Sequence, residues 1–263
     1  MDRTEPSTDA HEAVRALVSL IRSARYLTAF TGAGISVESG IPPFRGEGGI
    51  WNTHDPRKFE LDYFMAHPEE AWPLLKQIFY GGGLRAARPN RAHEVLAAWE
   101  ARGAGLDGRG GLLKVLITQN IDNLHSLAGS RRIIEFHGNS RLLLCVSCGK
   151  RVEAEARLLQ TLPPRCGCGG IYKPDFVFFG EGIPPVAHER AREAARRTDL
   201  MLVVGTTGEV YPAALIPQWA AEAGAKIVEI NPAPSSFTGS VTDVRIPLPA
   251  AEAFRLLEEE MNR

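Results

Sequence analysis

The sequence predicts an α/β fold: a Rossmann-like parallel sheet flanked by helices, with a smaller domain inserted into it. Three observations carry this. Short runs that are apolar throughout, rather than alternating, end at Gly32, Gln119, Gly205 and Asn231. Such runs read as parallel strands buried on both faces. Amphipathic helical stretches lie between them, as a wound α/β sheet requires. An aromatic-rich stretch and a segment holding all four cysteines interrupt this alternation, so they read as insertions.

Length and charge bound the reading. The chain has 263 residues, 44% of them hydrophobic, which suits one large domain or one domain with an insertion. Lys and Arg number 30 against 31 Asp and Glu, a net charge of -1. This balance leaves no footprint for nucleic acid or a membrane surface as partner. No apolar run approaches the roughly 20 residues of a membrane span. Residues 1–10 are polar and lack the apolar segment of a signal peptide. A cytoplasmic protein is expected.

Residues 11–25 place Val14, Leu17, Val18 and Ile21 on one helical face. A short strand at 26–30 runs into Thr31-Gly32-Ala33-Gly34-Ile35-Ser36. A strand, a glycine turn and a helix start form the layout that seats a phosphate on backbone N–H groups. Val37 stands where the dinucleotide fingerprint has its third Gly or Ala, and the acidic residue about 20 positions on is missing. A plain Rossmann dehydrogenase is therefore disfavoured. The next stretch, SGIPPFRG at 39–46, is held irregular by its prolines and glycines. It reads as a lid carrying Phe44 and Arg45 over a charged ligand, or as a surface loop whose Phe44 packs inward.

Residues 51–80 hold Phe59, Tyr63, Phe64, Trp72 and Phe79 in a partly helical pattern that Gly81, Gly82 and Gly83 are expected to end. Pro89 and Asn90 open another helix, to about residue 102, and the glycine-rich segment 103–111 connects it to the central strand at 112–117. That strand ends in Thr118-Gln119-Asn120-Ile121-Asp122-Asn123-Leu124-His125. Ligands in open α/β sheets sit at the carboxyl ends of strands, so the polar cluster is a site candidate, although Asp122 and Asn123 also suit ordinary helix caps. A short strand at 132–136 leads to His137-Gly138. A lone His is commonly a packed or capping residue, but its place at a strand end beside this cluster also suits a general base.

The cysteines are Cys145, Cys148, Cys166 and Cys168, as C-x₂-C and C-x-C knuckles with glycines beside them. Four soft ligands in two close pairs read as a structural Zn²⁺ site. Disulfides or free thiols are the alternatives, and a cytosolic setting disfavours disulfides. With no fifth ligand in view the metal is structural. The KPDFVFFGE stretch at 173–181 reads as an extended aromatic strand stopped by glycine. Buried strands follow at 200–204 and 226–230, and an amphipathic helix at 250–261 closes the chain. The division expected is a discontinuous Rossmann-like domain (11–44, 84–137 and 196–263), a helical module (45–83), and a zinc-binding module with a substrate-cleft strand (138–195).

Taken in order, these motifs resemble the sirtuins of bacterial type, the NAD⁺-dependent protein lysine deacylases. The resemblance is carried by GAGIS (32–36), SGIPPFRG (39–46), TQNIDNLH (118–125), HG (137–138), the cysteine quartet, KPDFVFFGE (173–181), GTTGEVYPAA (205–214) and INP (230–232). It covers nearly the whole chain. It implies that Gly32, Ala33, Gly34, Phe44 and Arg45 line an NAD⁺ site, with Arg45 at the pyrophosphate. Gln119, Asn120, Ile121 and Asp122 would hold the nicotinamide ribose and carboxamide. Gly205, Thr206, Thr207 and Asn231 would serve the phosphates and the adenine ribose. His137 would be the general base, with Asn120 and Asp122 completing the catalytic set. Val177, Phe179, Gly180, Glu181, Glu209 and Val210 would flank an extended peptide that presents an acylated lysine.

The implied reaction releases nicotinamide and O-acyl-ADP-ribose and uses no catalytic metal. Three departures stand out: Pro43 where Asp or Thr is common, Thr207 where Ser is common, and Leu75 and Ile78 where succinyl- or malonyl-preferring members carry Tyr and Arg. The last implies a preference for neutral acyl groups, acetyl first. Two other readings use the same motifs: a mono-ADP-ribosyltransferase, and a non-catalytic scaffold that binds zinc and dinucleotide.

Overall fold

The computed structural model describes residues 9–44, 48–102 and 111–263. Helix α1, Ala10–Ser23, starts where the Asp9 carboxylate accepts from the His11 N–H, and it buries Val14, Leu17, Val18 and Ile21 as the spacing predicts. Strand β1, Leu27–Thr31, is buried along its whole length. A 3₁₀ turn, Ala33–Ser39, follows it in place of the expected α-helix start. Two more short 3₁₀ turns lead to α2, Leu61–Ala66, and α3, Pro68–Phe79. The chain leaves the helix at Tyr80 and Gly81, as expected, but Gly82 and Gly83 then open a further short helix, α4, Gly82–Ala86. Helix α5, Arg91–Ala101, is capped by Asn90, whose side chain accepts from Ala92 N–H while His93 closes the box.

Strand β2, Leu113–Thr118, precedes a single turn of helix, α6, Leu124–Ala128. Strand β3, Ile133–Glu135, follows it, and β4, Gly138–Cys145, starts immediately after His137. Then come β5, Arg151–Glu153; β6, Tyr172–Phe176; α7, Pro185–Arg197; β7, Leu200–Val204; α8, Leu215–Glu222; β8, Lys226–Ile230; β9, Val244–Ile246; and α9, Ala250–Met261. The segment 103–110 of the expected connector, and Arg45 of the expected lid, lie outside the described residues.

Six strands form one parallel sheet in the order β3-β2-β1-β7-β8-β9. The chain winds outward in one direction from β1 and later in the other from β7. The adjacent pair β1 and β7 is thus the switch point, and a crevice opens there at the carboxyl ends. Residues of α1, α5 and α9 share one core with one face of the sheet, and residues of α7 and α8 share another with the opposite face. No helix among the described residues is long and apolar enough to cross a membrane.

The two insertions fold on each other. Phe64, Trp72, Leu75 and Phe79 from the helical stretch share a core with Leu143, Cys145, Tyr172 and Phe176 from the antiparallel sheet β5-β4-β6. The indole of Trp72 donates to the Tyr172 carbonyl at 2.9 Å. Beside this core the four cysteine sulfurs lie within 4.8 Å of one another. Cys145 and Cys168 Sγ are 3.6 Å apart, and Cys148 and Cys166 Sγ are 3.8 Å apart. None of the four is in a disulfide, since these separations exceed an S–S bond. A tetrahedron with Zn–S bonds of about 2.3 Å has edges of about 3.8 Å, so the quartet fits Zn²⁺.

Because Cys145 and Cys166 belong to the shared apolar core, metal binding and small-domain packing are coupled. Cys145→Ala is expected to purify without stoichiometric zinc and to unfold at a lower temperature. Metal analysis and thermal denaturation check this. A wild-type protein that is fully folded without metal would contradict it.

Candidate functional site

Two adjoining cavities lie at the carboxyl ends of the strands. The larger, about 830 Å³, is bordered by the loops after β1, β2, β7 and β8 and by the segment after β6. The smaller, about 300 Å³, lies between the loop after β1, the α3–α4 region and the stretch after β2. Ala33, Phe44, Asn120 and Ile121 border both, while Asp122 borders only the smaller one. Their combined shape, an elongated cleft with a side pocket, suits a dinucleotide that places one ring apart from the rest.

At the switch point the two loops meet backbone to backbone. Gly32 N–H donates to the Val204 carbonyl at 2.9 Å, and Gly34 N–H to the Gly205 carbonyl at 2.8 Å. A Cβ on Gly34 would lie 2.6 Å from Gly205 Cα, and one on Gly32 would lie 2.7 Å from Thr206 Cβ. Gly205 itself has φ +63°. This corrects one expectation: the N–H groups of Gly32 and Gly34 are spent within the protein and do not cradle a phosphate. What these glycines contribute is close approach of the backbone to the cleft.

Side chains from three strand ends knit the cleft floor. Gln119 Nε2 donates to Thr206 Oγ1 at 3.0 Å, and Asn231 Nδ2 reaches the Thr206 carbonyl at 3.4 Å. Thr207 donates to Glu209 at 3.4 Å, and Glu209 stands outside the cavity lining whereas Val210 is part of it. Asn120 is buried; its amide donates to the Gly32 carbonyl at 3.1 Å and to Ser36 Oγ at 3.2 Å.

Asp122 caps a helix and also borders the smaller cavity. One oxygen caps α6 by accepting from Leu124 N–H at 2.9 Å, and the other accepts from Ser36 Oγ at 2.7 Å. Burial raises its carboxyl pKa, while Leu124 N–H, Ser36 and Asn120 oppose that by stabilising the carboxylate. The Ile121 carbonyl accepts from both Ser140 N–H, at 3.0 Å, and Ser140 Oγ, at 2.7 Å. That saturates the oxygen, so it is the Ile121 N–H that remains for a ligand. Ser36 is a site residue that sequence reasoning missed, although it ends the quoted GAGIS motif. His125, which ends TQNIDNLH, is by contrast structural: its Nε2 lies 2.9 Å from Thr31 Oγ1, beneath the cleft.

His137 follows β3 and borders the larger cavity. Its Nδ1 lies 3.1 Å from the Gln119 carbonyl. A carbonyl only accepts, so Nδ1 carries the proton and Nε2 is left with a lone pair. Burial lowers the imidazole pKa, and the Gln119 carbonyl works against that. The neutral ring therefore persists to lower pH than in a solvated histidine.

The wall facing His137 is aromatic. Phe59, Phe79, Phe176 and Phe178 border the larger cavity, together with Val177, Phe179, Gly180 and Glu181. The centroids of Phe79 and Phe176 are 5.0 Å apart, and those of Phe176 and Phe178 are 5.2 Å apart. Leu75 was expected on this wall and is instead buried in the small-domain core, while Ile78 borders the smaller cavity. One turn of helix further along, α3 offers Phe79. The nearby cations point elsewhere: Lys76 Nζ donates to the Leu159 carbonyl at 2.7 Å, and Arg85 to the Ala154 carbonyl at 2.5 Å.

Comparison with known proteins agrees with this geometry. The Sir2 family profile matches residues 32–212. The NAD-dependent protein deacylase of Aeropyrum pernix is 40% identical over 252 residues, covering 95% of this chain and 98% of the relative. The NAD-dependent protein deacetylase of Haloarcula marismortui is 43% identical, covering 84% of each chain. The solved complex of Sir2 with a p53 peptide and NAD⁺ superposes with a TM-score of 0.82 at 35% identity, covering 94% of this chain and 98% of that one. The order of strands about the switch point, the cysteine quartet, the family match and these relatives lead to one conclusion: the chain belongs to the Sir2 family.

Proposed function

We propose that this protein is an NAD⁺-dependent protein lysine deacylase that acts first on acetyl-lysine and releases nicotinamide and O-acyl-ADP-ribose. Its partners are acylated lysine side chains of other proteins, and its place of action is the cytoplasm. The observation that carries the reading is His137: a neutral imidazole with Nδ1 committed to the Gln119 carbonyl and Nε2 left basic, beside an apolar slot. A scaffold that only bound dinucleotide would have no use for such a base.

Roles for the lining residues follow from what each has left to offer. Ala33, Phe44, Gln119, Asn120, Thr206, Thr207 and Asn231, with Arg45, hold the dinucleotide, and Gly32, Gly34 and Gly205 let it approach the backbone. The Asp122 carboxylate and the Ile121 N–H hold the nicotinamide carboxamide in the smaller cavity. Bound NAD⁺ supplies an electrophilic ribose carbon with nicotinamide as its leaving group. Ser36 and Leu124 N–H keep Asp122 able to accept a hydrogen bond despite its burial. His137 Nε2 accepts a proton from a ribose hydroxyl. The aromatic wall takes the acyl-lysine chain and excludes water, and Cys145, Cys148, Cys166 and Cys168 hold a structural Zn²⁺. Val177, Phe179, Gly180 and Val210 line the groove for the peptide main chain.

The test of the reading is nicotinamide release with and without an acetylated peptide, with products identified by mass. Release that requires the peptide and yields O-acetyl-ADP-ribose in equal amount is expected. Release accompanied by ADP-ribosylated protein would replace the reading with ADP-ribosyl transfer, and no release would leave a binding protein.

His137→Ala is expected to lower deacylation by at least about 10²–10⁴-fold while NAD⁺ affinity largely survives. Because burial lowers the His137 pKa, the neutral base is retained to lower pH than in a solvated imidazole. The acid limb of the rate profile is therefore expected below about pH 6.5. An acid limb centred above that value would contradict the assignment of His137 as the base.

The apolar wall also decides the acyl group. A succinyl carboxylate entering it loses water, and a buried ion without a partner costs several kcal/mol. On one peptide, kcat/KM is expected to be highest for acetyl lysine, with butyryl lysine accepted, and about 10²-fold lower for succinyl lysine than for acetyl lysine. Equal turnover of the succinyl peptide would mean that a cation reaches the slot.

A further inference from the structure

The segment after β6 faces the cleft with both its backbone and its rings, and it is held from behind by a buried lysine. Lys173 is 3% exposed, and such a residue is almost never buried unless paired. Its Nζ donates to the Pro174 carbonyl at 3.0 Å, the Phe176 carbonyl at 2.7 Å and Glu181 Oε2 at 2.9 Å. An ammonium has three N–H donors, and each finds an oxygen here. The same Glu181 oxygen accepts from the Phe178 N–H at 2.9 Å. The Phe178 ring lies over Nζ, 4.5 Å from its centroid.

These contacts close the chain on itself between Lys173 and Glu181, so that it reverses at Gly180, whose φ is +79°. The arm that leads into the reversal is fastened by backbone on two sides. Val177 N–H donates to the His137 carbonyl at 2.9 Å, Phe179 N–H to the Phe59 carbonyl at 3.0 Å, and Leu61 N–H to the Phe179 carbonyl at 2.9 Å. Lys173 holds the middle. Through Phe178 it also steadies the stack of Phe178 on Phe176 that lines the slot. With its three donors engaged away from the cleft, Lys173 has none to offer a substrate.

The geometry points to Lys173, acting through Glu181, as the positioning residue of the peptide-facing wall: the ion pair of the buried lysine with the half-buried Glu181 sets the orientation of Val177 to Gly180 and thereby the affinity for the acylated peptide, while leaving the dinucleotide side of the cleft alone. Glu181, expected from sequence to touch substrate, acts in this account on Lys173 and Phe178. The inference rests on the deacylase reading above.

The experiment uses the full-length, zinc-loaded protein and compares Lys173→Met, which removes the charge at similar length, with Lys173→Arg, which keeps a cation and its donors, and with Glu181→Gln, which keeps an acceptor for Phe178. Peptide KM, NAD⁺ KM, kcat, zinc content and melting temperature are measured. Lys173→Met and Glu181→Gln are expected to raise peptide KM by about tenfold or more with NAD⁺ KM within about twofold and zinc retained. Lys173→Arg is expected to stay closer to wild type than Lys173→Met. An unchanged peptide KM in Glu181→Gln overturns the inference even if Lys173→Met fails to fold. So does a parallel rise of both KM values. A wild-type protein with no peptide-dependent nicotinamide release sinks the deacylase reading itself, which separates the two failures.

Discussion

Gly34 donates its N–H to the Gly205 carbonyl at 2.8 Å, and no side chain fits at either position. This contact joins the loops behind β1 and β7, the two strands at which the sheet changes its direction of winding. A parallel sheet places every strand end on one edge, and the switch point is where two outgoing loops part and leave a crevice. Here they part only beyond the glycines. The crevice floor is therefore backbone, and polar side chains from neighbouring strand ends can converge over it. Gln119 and Asn231, from two other strand ends, both reach Thr206 above the locked loops.

Around that floor the protein places polar groups so that each has one free function left. Asn120 spends its amide on Gly32 and Ser36. The Ile121 carbonyl is saturated by Ser140, which leaves its N–H. His137 spends Nδ1 on the Gln119 carbonyl, which leaves Nε2. Desolvation then sets the chemistry: it favours the neutral imidazole at His137, while hydrogen bonds defend the carboxylate of Asp122. The small domain supplies the other half of the cleft, and its aromatic wall depends on a core closed by the cysteine knuckles.

What was legible in the sequence was what depends on neighbours in the chain. The face of α1 followed from spacing, and strands β7 and β8 and helix α9 fall at the expected residues because apolar runs and periodicity are local signals. Strand β9, three residues at the sheet edge, is too short to have a period. The polar helix α7 buries mainly Ala191, Ala194 and Ala195, a face that composition hides. The glycines at 82 and 83 read as a stop because glycine usually ends helices; here they begin α4, whose Arg85 reaches across to the Ala154 carbonyl. Within the site, residue types pointed to the right places but not to the right donors. The partner of Gly34 N–H is Gly205, far along the chain, and no local pattern records it. The displacement of Leu75 by Phe79 on the cleft wall has the same origin, since it depends on how α3 rolls against β6.

The central claim is that the glycine contact at the strand switch builds the dinucleotide site. Calorimetric titration of NAD⁺ into wild type and Gly205→Ala, with zinc content confirmed for both, tests it most directly. At φ +63° and against the Gly34 backbone, a methyl group forces the two loops apart. NAD⁺ affinity is predicted to fall by roughly 5- to 150-fold, equivalent to the 1–3 kcal/mol of such strain, in a protein that keeps its zinc. A Gly205→Ala variant that binds NAD⁺ as tightly as wild type would contradict the account.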